Sequence, residues 1–261
     1  MITKTKRGLS FLQFPSLIEF KNLYHGVFTR QNGYSIKPSG GLNISLSVDD
    51  DPGAVLLNRK KIARCVKSDL VFAQQVHSAD VLALKKKSAW RFLKAPLDTL
   101  KGDAMVTDLK GVTLVIQVAD CQPVFLYDPS RQVVGNVHSG WRGSINNIIG
   151  RTIRVMESEF GCKARNLLAA VGPSLGPCCS EFIHFRTEIP RRFWNYRQKN
   201  NRFDFWLLSQ DQLAAAGVLR KNISISNLCT SCRTDLFYSY RKEKETGRFA
   251  AAIGLRNGAR K

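Results

Sequence analysis

The sequence predicts one α/β domain with mixed strand pairing over residues 1–261, and three observations predict it. Val112–Val118 is a near-continuous apolar run, with Thr113 and Gln117 its only polar members, the mark of a strand covered on both faces, so layers pack on either side of a sheet. Apolar runs flank the turn signal Asp128-Pro129-Ser130-Arg131, which reads as a hairpin. Ser144–Phe160 carries Ile145, Ile148, Ile149, Ile153 and Met156 at helical spacing and closes on Gly161. No repeat, low-complexity tract or linker divides the chain.

The remaining elements follow in order. Residues 1–20 form an entry segment with an early strand. His25–Thr29 is a strand running into a turn at Asn32-Gly33, and Gly40-Gly41-Leu42-Asn43 is a second loop. Asp50-Asp51-Pro52-Gly53 caps a helix, Ala54–Val66, whose apolar face carries Val55, Leu56, Ile62 and Ala63. Leu70–Val76 and Val81–Leu84 are strands, and Lys85-Lys86-Lys87 is a solvated loop. Beyond the central hairpin and its helix, Leu167–Val171 ends in the stiff loop G-P-S-L-G-P-C-C at 172–179. Arg186–Arg202 is basic and aromatic, Trp206–Ala216 is helical with Gly217 as its stop, and Ile223–Ile225 and Phe249–Leu255 are the last strands.

Composition bounds the partners. The chain is 44% hydrophobic, enough for a substantial core, and contains no apolar run of about 18 residues that would span a membrane. Met1–Phe20 has basic residues before F-L-Q-F-P-S-L-I, but Gln13 and Pro15 interrupt a short apolar part, so a cytoplasmic protein is expected. Seven cysteines without a disulfide spacing fit a reducing compartment. The net charge of +20 attracts phosphates, nucleotides or nucleic acid; a generally basic proteome explains it equally well.

Chemistry concentrates between Val118 and Gly143. A symmetric fold-back about Pro129-Ser130 puts Cys121 directly opposite His138, where Cα atoms lie about 4.5–5.5 Å apart. That pair suits a metal site or a Cys–His nucleophile, with a buried core thiol as the plain alternative. His77 and His138 each end a strand, in Q-Q-V-H and N-V-H, and the chain has only four histidines. Together with Cys121 they make a His₂Cys set, the composition of a catalytic zinc with one position left open; copper also suits it. Asp120 reads as a carboxylate that orients a histidine, a general base, or a turn cap. Ser139–Gly143 leads into a helix N-terminus suited to an anion, and Arg142 adds a planar donor fork. Cys229-Thr-Ser-Cys232 has redox or zinc spacing, but Cys178-Cys179 is no standard complement, so ordinary packing is expected there. Tyr238, Tyr240 and Arg241 fit base stacking or core packing equally.

Several motifs run through the chain in one order: G-V-F-T-R at 26–30, L-N-I-S at 42–45, Q-V-H at 75–77 and G-D-A-M-V-T-D at 102–108. A-D-C-Q-P-V at 119–124, V-H-S-G-W-R-G at 137–143, G-P-S-L-G-P-C-C at 172–179, F-Y-S-Y-R and T-G-R continue the series. On these the chain resembles the YfiH-like, or laccase-domain, family. Departures are Ser139 in place of a usual Ala, Asp204-Phe205-Trp206 near a usual Leu-Asp-Leu, and a Cys-rich look to the 178–179 loop.

The resemblance implies a layered α/β/β/α sandwich with mixed sheets, and metal ligands at His77, Cys121 and His138. It implies zinc, with copper in some members, and phosphorolysis of adenosine, inosine, guanosine and methylthioadenosine with adenosine deamination. The substrates expected are a purine nucleoside and inorganic phosphate, in a monomer or weak homo-oligomer with no membrane partner. In that reading Asp120 moves protons, Arg142 and Arg30 hold phosphate, and Gln75 and Asn43 bond the nucleoside. Competing expectations are a Cys- or metal-dependent hydrolase editing peptidoglycan precursors, a copper-dependent polyphenol oxidase, and a basic nucleic-acid-binding module using Arg191–Arg202.

Overall fold

A computed structural model describes residues 1–36, 38–85 and 100–257. Its strands are β1 Ile2–Lys6, β2 Leu9–Gln13, β3 Leu23–Phe28, β4 Asp69–Phe72, β5 Val81–Leu84 and β6 Ala104–Thr107. They continue as β7 Val112–Val118, β8 Gln122–Asp128, β9 Val133–Ser139, β10 Leu168–Val171, β11 Ile223–Ile225 and β12 Phe249–Leu255. One sheet has the order β1-β2-β3-β12-β7-β4 and the other β11-β10-β8-β9-β6-β5. Each mixes senses: β4 with β7, β5 with β6, and β10 with β11 are parallel, within otherwise antiparallel ladders.

The two-residue strand period builds the layers. On β12, Phe249, Ala251, Ile253 and Leu255 enter a core between the sheets, where they meet Phe125 and Tyr127 of β8. Ala250 and Ala252 point the other way and pack with Ile62 and Cys65 of the helix Pro52–Val66. On β8, Val124 and Leu126 meet Ile149, Ile153 and Met156 of the helix Ile148–Phe160 and Leu213 of the helix Phe205–Ala215. The order of layers is therefore α/β/β/α. Strands sandwiched on both faces have to be largely apolar, as Val112–Val118 is apart from Thr113, which bonds the Ser68 hydroxyl, and the half-buried Gln117.

Four expectations are corrected. The hairpin pairs Pro123, not Cys121, with His138, because Asp128 closes against Val133 across a four-residue connection. Asp128 Oδ1 accepts from the amides of Ser130 and Arg131, and Gln132 is left-handed at φ +53°, which moves the turn centre by one residue. The long helix after the hairpin is two, Trp141–Ile145 and Ile148–Phe160, broken where Asn147 turns left-handed and caps Gly150 with its side chain. The helix Pro52–Val66 exposes Leu56 and buries Asn58 and Arg59, because Asn58 hydrogen-bonds the 35–43 loops and Arg59 donates to the Ile44 carbonyl. β4 stops at Phe72, and the residues up to Ser78 leave the sheet to wrap Asp103. Lys86 and Lys87 lie outside the described residues.

His25 on β3 is buried and its Nε2 accepts from the Phe14 amide at 2.8 Å, so it is held neutral. Burial lowers its pKa from 6.5 to about 4. Between those values the unfolded chain binds the extra proton, so stability falls as pH drops below about 6.5 and this contribution is gone below about 4. The expected loss is roughly 3 kcal/mol at most, from 1.36 kcal/mol per unit. Urea denaturation from pH 7.5 to 4.5 checks it: His25→Leu should show a shallower decline than the parent chain, and equal slopes would refute the assignment.

Candidate active site

The site begins with a buried carboxylate on the approach to β6. Asp103 is inaccessible to solvent, and its two oxygens collect the backbone amides of three successive residues. Oδ2 accepts from Val76 at 3.1 Å and Ser78 at 2.8 Å, while Oδ1 accepts from His77 at 2.9 Å. The Ser78 hydroxyl adds a fourth donor at 3.0 Å. This cradle fixes His77 in the left-handed region at φ +60°, a conformation a non-glycine residue keeps only when its surroundings impose it. Asp103 Oδ1 also lies 2.8 Å from His138 Nδ1 on β9, and the Asp103 carbonyl accepts from the His138 amide. One side chain therefore positions both histidines, and Nδ1 of His138 is occupied so that Nε2 is the nitrogen left for a ligand. Asp103 was missed from the sequence as a site residue; its only signal was its place as one of the two acids, with Asp108, in the G-D-A-M-V-T-D motif.

Cys121 comes from the tight turn between β7 and β8, where Asp120 has φ +85°. Its Sγ lies 3.8 Å from His77 Nε2, and the two imidazoles meet edge to face with centroids 4.9 Å apart. The ligand atoms of His77, Cys121 and His138 all fall within 4.8 Å of one another. The one-residue error in turn centre moves the partner of His138 by two, so Cys121 keeps the same face and sits diagonally across the hairpin end. Gly140 makes the convergence possible: a Cβ there would stand 2.9 Å from His77 Cδ2 and 3.1 Å from Cys121 Sγ. Burial alone would raise the Cys121 pKa, but His138 and His77 outweigh it and bring it to about 6. Burial would lower His138, and the neighbouring Cys121 and Asp103 instead raise it to about 9. Both shifts favour the charged forms, a thiolate beside an imidazolium, and a cation replacing that proton would meet two imidazoles and a sulfur.

These three side chains lie at the wall of a cavity of about 1100 Å³. Arg142, Arg241, Lys244 and Arg248 also line it, against Asp120, Glu181 and Glu188. Trp141, Phe182 and Tyr240 supply aromatic surface. Arg142 stacks on Trp141 at 4.4 Å, and Arg248 anchors to the Thr246 and Gly247 carbonyls. Arg248 is a second residue that sequence reasoning passed over, although it belongs to the T-G-R motif.

Not every residue expected in the site reaches it. Gln75 lines the cavity, but its amide is engaged at both ends by the Gln117 backbone. Asp120 lines it too, accepting from Thr230 and Ser239 hydroxyls at 2.6 and 2.7 Å and from the Arg241 amide at 2.6 Å. Its visible work is to tie two later loops to the turn that carries Cys121. Arg30 lies outside the cavity lining, where it pairs with Glu243 at 2.6 Å and stacks on Tyr238. Asn43 is wholly buried, bonding Asp50 and the Arg248 amide, so it acts one step behind the cavity wall. Tyr238 is a core residue whose hydroxyl donates to the 39–40 carbonyls, whereas Tyr240 is exposed at the cavity. The Arg186–Arg202 aromatics Trp194 and Tyr196 are half-buried against a cluster of Phe185, Phe203 and Phe205.

A family model described as multi-copper polyphenol oxidoreductase laccase matches residues 24–256. The chain belongs to this YfiH-like laccase-domain family. It is 32% identical over 251 residues to a protein of Geobacillus stearothermophilus named purine nucleoside phosphorylase YlmD, covering 91% of this chain and 92% of that one. A purine nucleoside phosphorylase of Deinococcus radiodurans is 32% identical over 264 residues, covering 96% and 95%. The crystal structure of YlmD from Geobacillus stearothermophilus superposes with a TM-score of 0.86 at 30% identity, over 97% of this chain and 98% of that one. Neisseria meningitidis NMB0706 gives a TM-score of 0.80 at 26% identity, over 95% and 99%. The layered fold expected of a YfiH-like chain is therefore the fold it has. No helix among the described residues is long and apolar enough to cross a membrane.

Proposed function

We propose that this YfiH-like chain is a metal-dependent purine nucleoside phosphorylase with an accompanying adenosine deaminase activity. The observation that carries the reading is the convergence of His77, Cys121 and His138 beside a large cavity whose wall is basic and aromatic. Relatives named purine nucleoside phosphorylase at 32% identity over nearly the whole chain support it. The donor set fits zinc: two imidazole nitrogens and a thiol whose pKa the neighbouring histidines lower to about 6, with Asp103 already holding the far nitrogen of His138. Bound there, the ion would supply Lewis-acid polarisation of a reacting oxygen.

The protein's own groups account for the rest of phosphorolysis. A phosphate oxygen attacks C1′ of the ribose, the C1′–N9 bond breaks with its electron pair leaving on the purine, and the proton that hydrogen phosphate gives up returns to the base, so ribose 1-phosphate and the neutral free base result. Arg142 and Arg248 hold the phosphate by charge-assisted hydrogen bonds, helped by the +20 net charge that favours an anion's entry. Trp141, Phe182 and Tyr240 offer faces for the purine. Asp120, accepting from three donors on the cavity wall, puts a carboxylate near the ribose as C1′ gains positive charge. In deamination water displaces ammonia from C6 and phosphate has no part. A copper oxidase that fully reduces O₂ needs further histidine clusters, and of the four histidines His25 is buried in the core and His184 lies apart from the cluster at the cavity.

The test is incubation of the zinc-loaded chain with adenosine, with and without phosphate, and chromatography of the products. Adenine that requires phosphate supports phosphorolysis, and inosine without phosphate supports deamination; neither product would sink the proposal. Arg142→Ala should raise the phosphate KM about 10–100-fold, the equivalent of one lost hydrogen bond to a charged group at 1.5–3 kcal/mol. The adenosine KM should move far less, and parallel changes in both constants would remove Arg142 from the phosphate role.

A further inference from the structure

A second group of metal-type side chains lies outside the catalytic cluster. Cys178 and Cys179 end the G-P-S-L-G-P-C-C loop after β10, and Cys229 and Cys232 lie in the loop after β11. The sequence argued against a shared site because 49 residues separate the pairs, counting from Cys179 to the position before Cys229. The fold overrides that separation. β10 and β11 are parallel neighbours, and the pairing continues into the loops as a bridge between Ser174 and Cys229. Ser174 accepts from the Thr230 amide at 3.0 Å, and the Ser174 amide donates to the Leu228 carbonyl at 3.2 Å.

All four sulfurs consequently lie within 4.8 Å of one another, with Cys178 and Cys179 each 3.6 Å from Cys232. Four sulfurs around one zinc at a Zn–S distance of about 2.3 Å would be separated by about 3.8 Å, the edge of that tetrahedron. The Gly176 amide donates to Cys229 Sγ at 3.3 Å, a bond that favours the thiolate a metal requires. Gly176 is also the residue whose missing side chain lets the loops meet, since a Cβ there would lie 3.1 Å from the Cys229 Cβ. None of the seven cysteines is in a disulfide.

We propose that Cys178, Cys179, Cys229 and Cys232 bind one structural zinc ion, separate from the catalytic centre. Four thiolates close the coordination shell, so the ion is a clamp and takes no part in chemistry. What it clamps is the back of the cavity. The 172–184 loop supplies Ser180, Glu181 and Phe182 to the wall, and the other loop carries the buried Thr230, whose hydroxyl donates to the wall residue Asp120 beside Cys121. Arg241 also donates to the Cys179 carbonyl at 2.8 Å, joining the clamp to the loop that closes over Asp120.

The test uses the full chain carrying Cys121→Ser, which disables the catalytic centre and leaves the quartet intact. Metal content by mass spectrometry should be one zinc per chain, and cobalt substitution should give the absorption of a tetrahedral all-thiolate site. Adding Cys178→Ser and Cys232→Ser, both at exposed positions, should bring zinc to background. The cobalt spectrum is read on the intact quartet, so it decides the matter even if the triple variant does not fold. Zinc at background in the Cys121→Ser chain, an iron–sulfur absorption, or a Cys229–Cys232 disulfide in protein purified without oxygen would each overturn the assignment. None of these outcomes depends on which nucleoside the cavity takes.

Discussion

Asp103→Ala is expected to destabilise the chain by about 3–5 kcal/mol, the usual cost of removing one partner from a buried ion pair. Three amides at Val76, His77 and Ser78 and the His138 ring lose their acceptor together, and the left-handed turn at His77 loses what imposes it. Asp103→Asn separates stability from function. The amide keeps one acceptor oxygen and the shape of the side chain, so part of the stability returns. It presents an N–H₂ where a carboxylate oxygen stood, which weakens the hold on His138 Nδ1. Metal affinity should then fall 10–100-fold, as it does when an outer partner of a ligating histidine is lost. Urea denaturation and zinc titration against a competing chelator read the two effects. An alanine variant within 1 kcal/mol of the parent chain, with unchanged zinc affinity, would show that Asp103 neither holds the loop nor orients the ligands.

That residue illustrates how far the sequence carries. Cys121 and His138 were legible together because hairpin geometry brings them to one end, whereas nothing local ties His77 to them: it arrives from a segment that has left β4 to wrap Asp103. Period-two geometry then forgave the misplaced turn: a shift of two in pairing leaves Cys121 on the face of His138. Asp103 was not legible because its partners are mostly backbone amides, which no residue pattern reports. The broken helix at Asn147 failed for a related reason, since apolar spacing continues straight across a cap made by one asparagine side chain.

Residues in motifs proved harder to assign than motifs themselves. Arg30 and Asn43 sit in stretches that looked like substrate contacts, yet both hold loops, one through Glu243 and the other through Asp50 and the Arg248 amide. Arg248, which reaches the cavity, stood in an equally short motif and drew no role. Long-range pairing was the larger gap. The cysteine quartet depends on β10 lying beside β11 and on a bridge that extends that pairing past the strand ends. Local spacing rules for zinc knuckles look within one loop, so they do not register sulfurs brought together from two.

Cys121→Ser carries the largest expected effect on activity. A hydroxyl at this position is a far poorer zinc ligand than a thiolate whose pKa two histidines already bring to about 6. Loss of a direct ligand should exceed the 10–100-fold cost of an outer partner, so phosphorolysis should fall about 10³-fold or more, near 4 kcal/mol of transition-state stabilisation. The fold should survive, because Cys121 lies just before β8 and outside its ladder. Circular dichroism should therefore match the parent while zinc content drops by one ion per chain. The same variant separates the metal reading from a thiolate nucleophile when it is paired with chelation of the unaltered chain. If zinc does the chemistry, chelation silences the parent enzyme and added zinc restores it. If Cys121 attacks the substrate itself, chelation leaves activity in place while serine abolishes it, and a covalent adduct on Cys121 becomes trappable. The 3.8 Å contact between Cys121 Sγ and His77 Nε2 is compatible with either chemistry, so the chelation result decides which of the two this cluster performs.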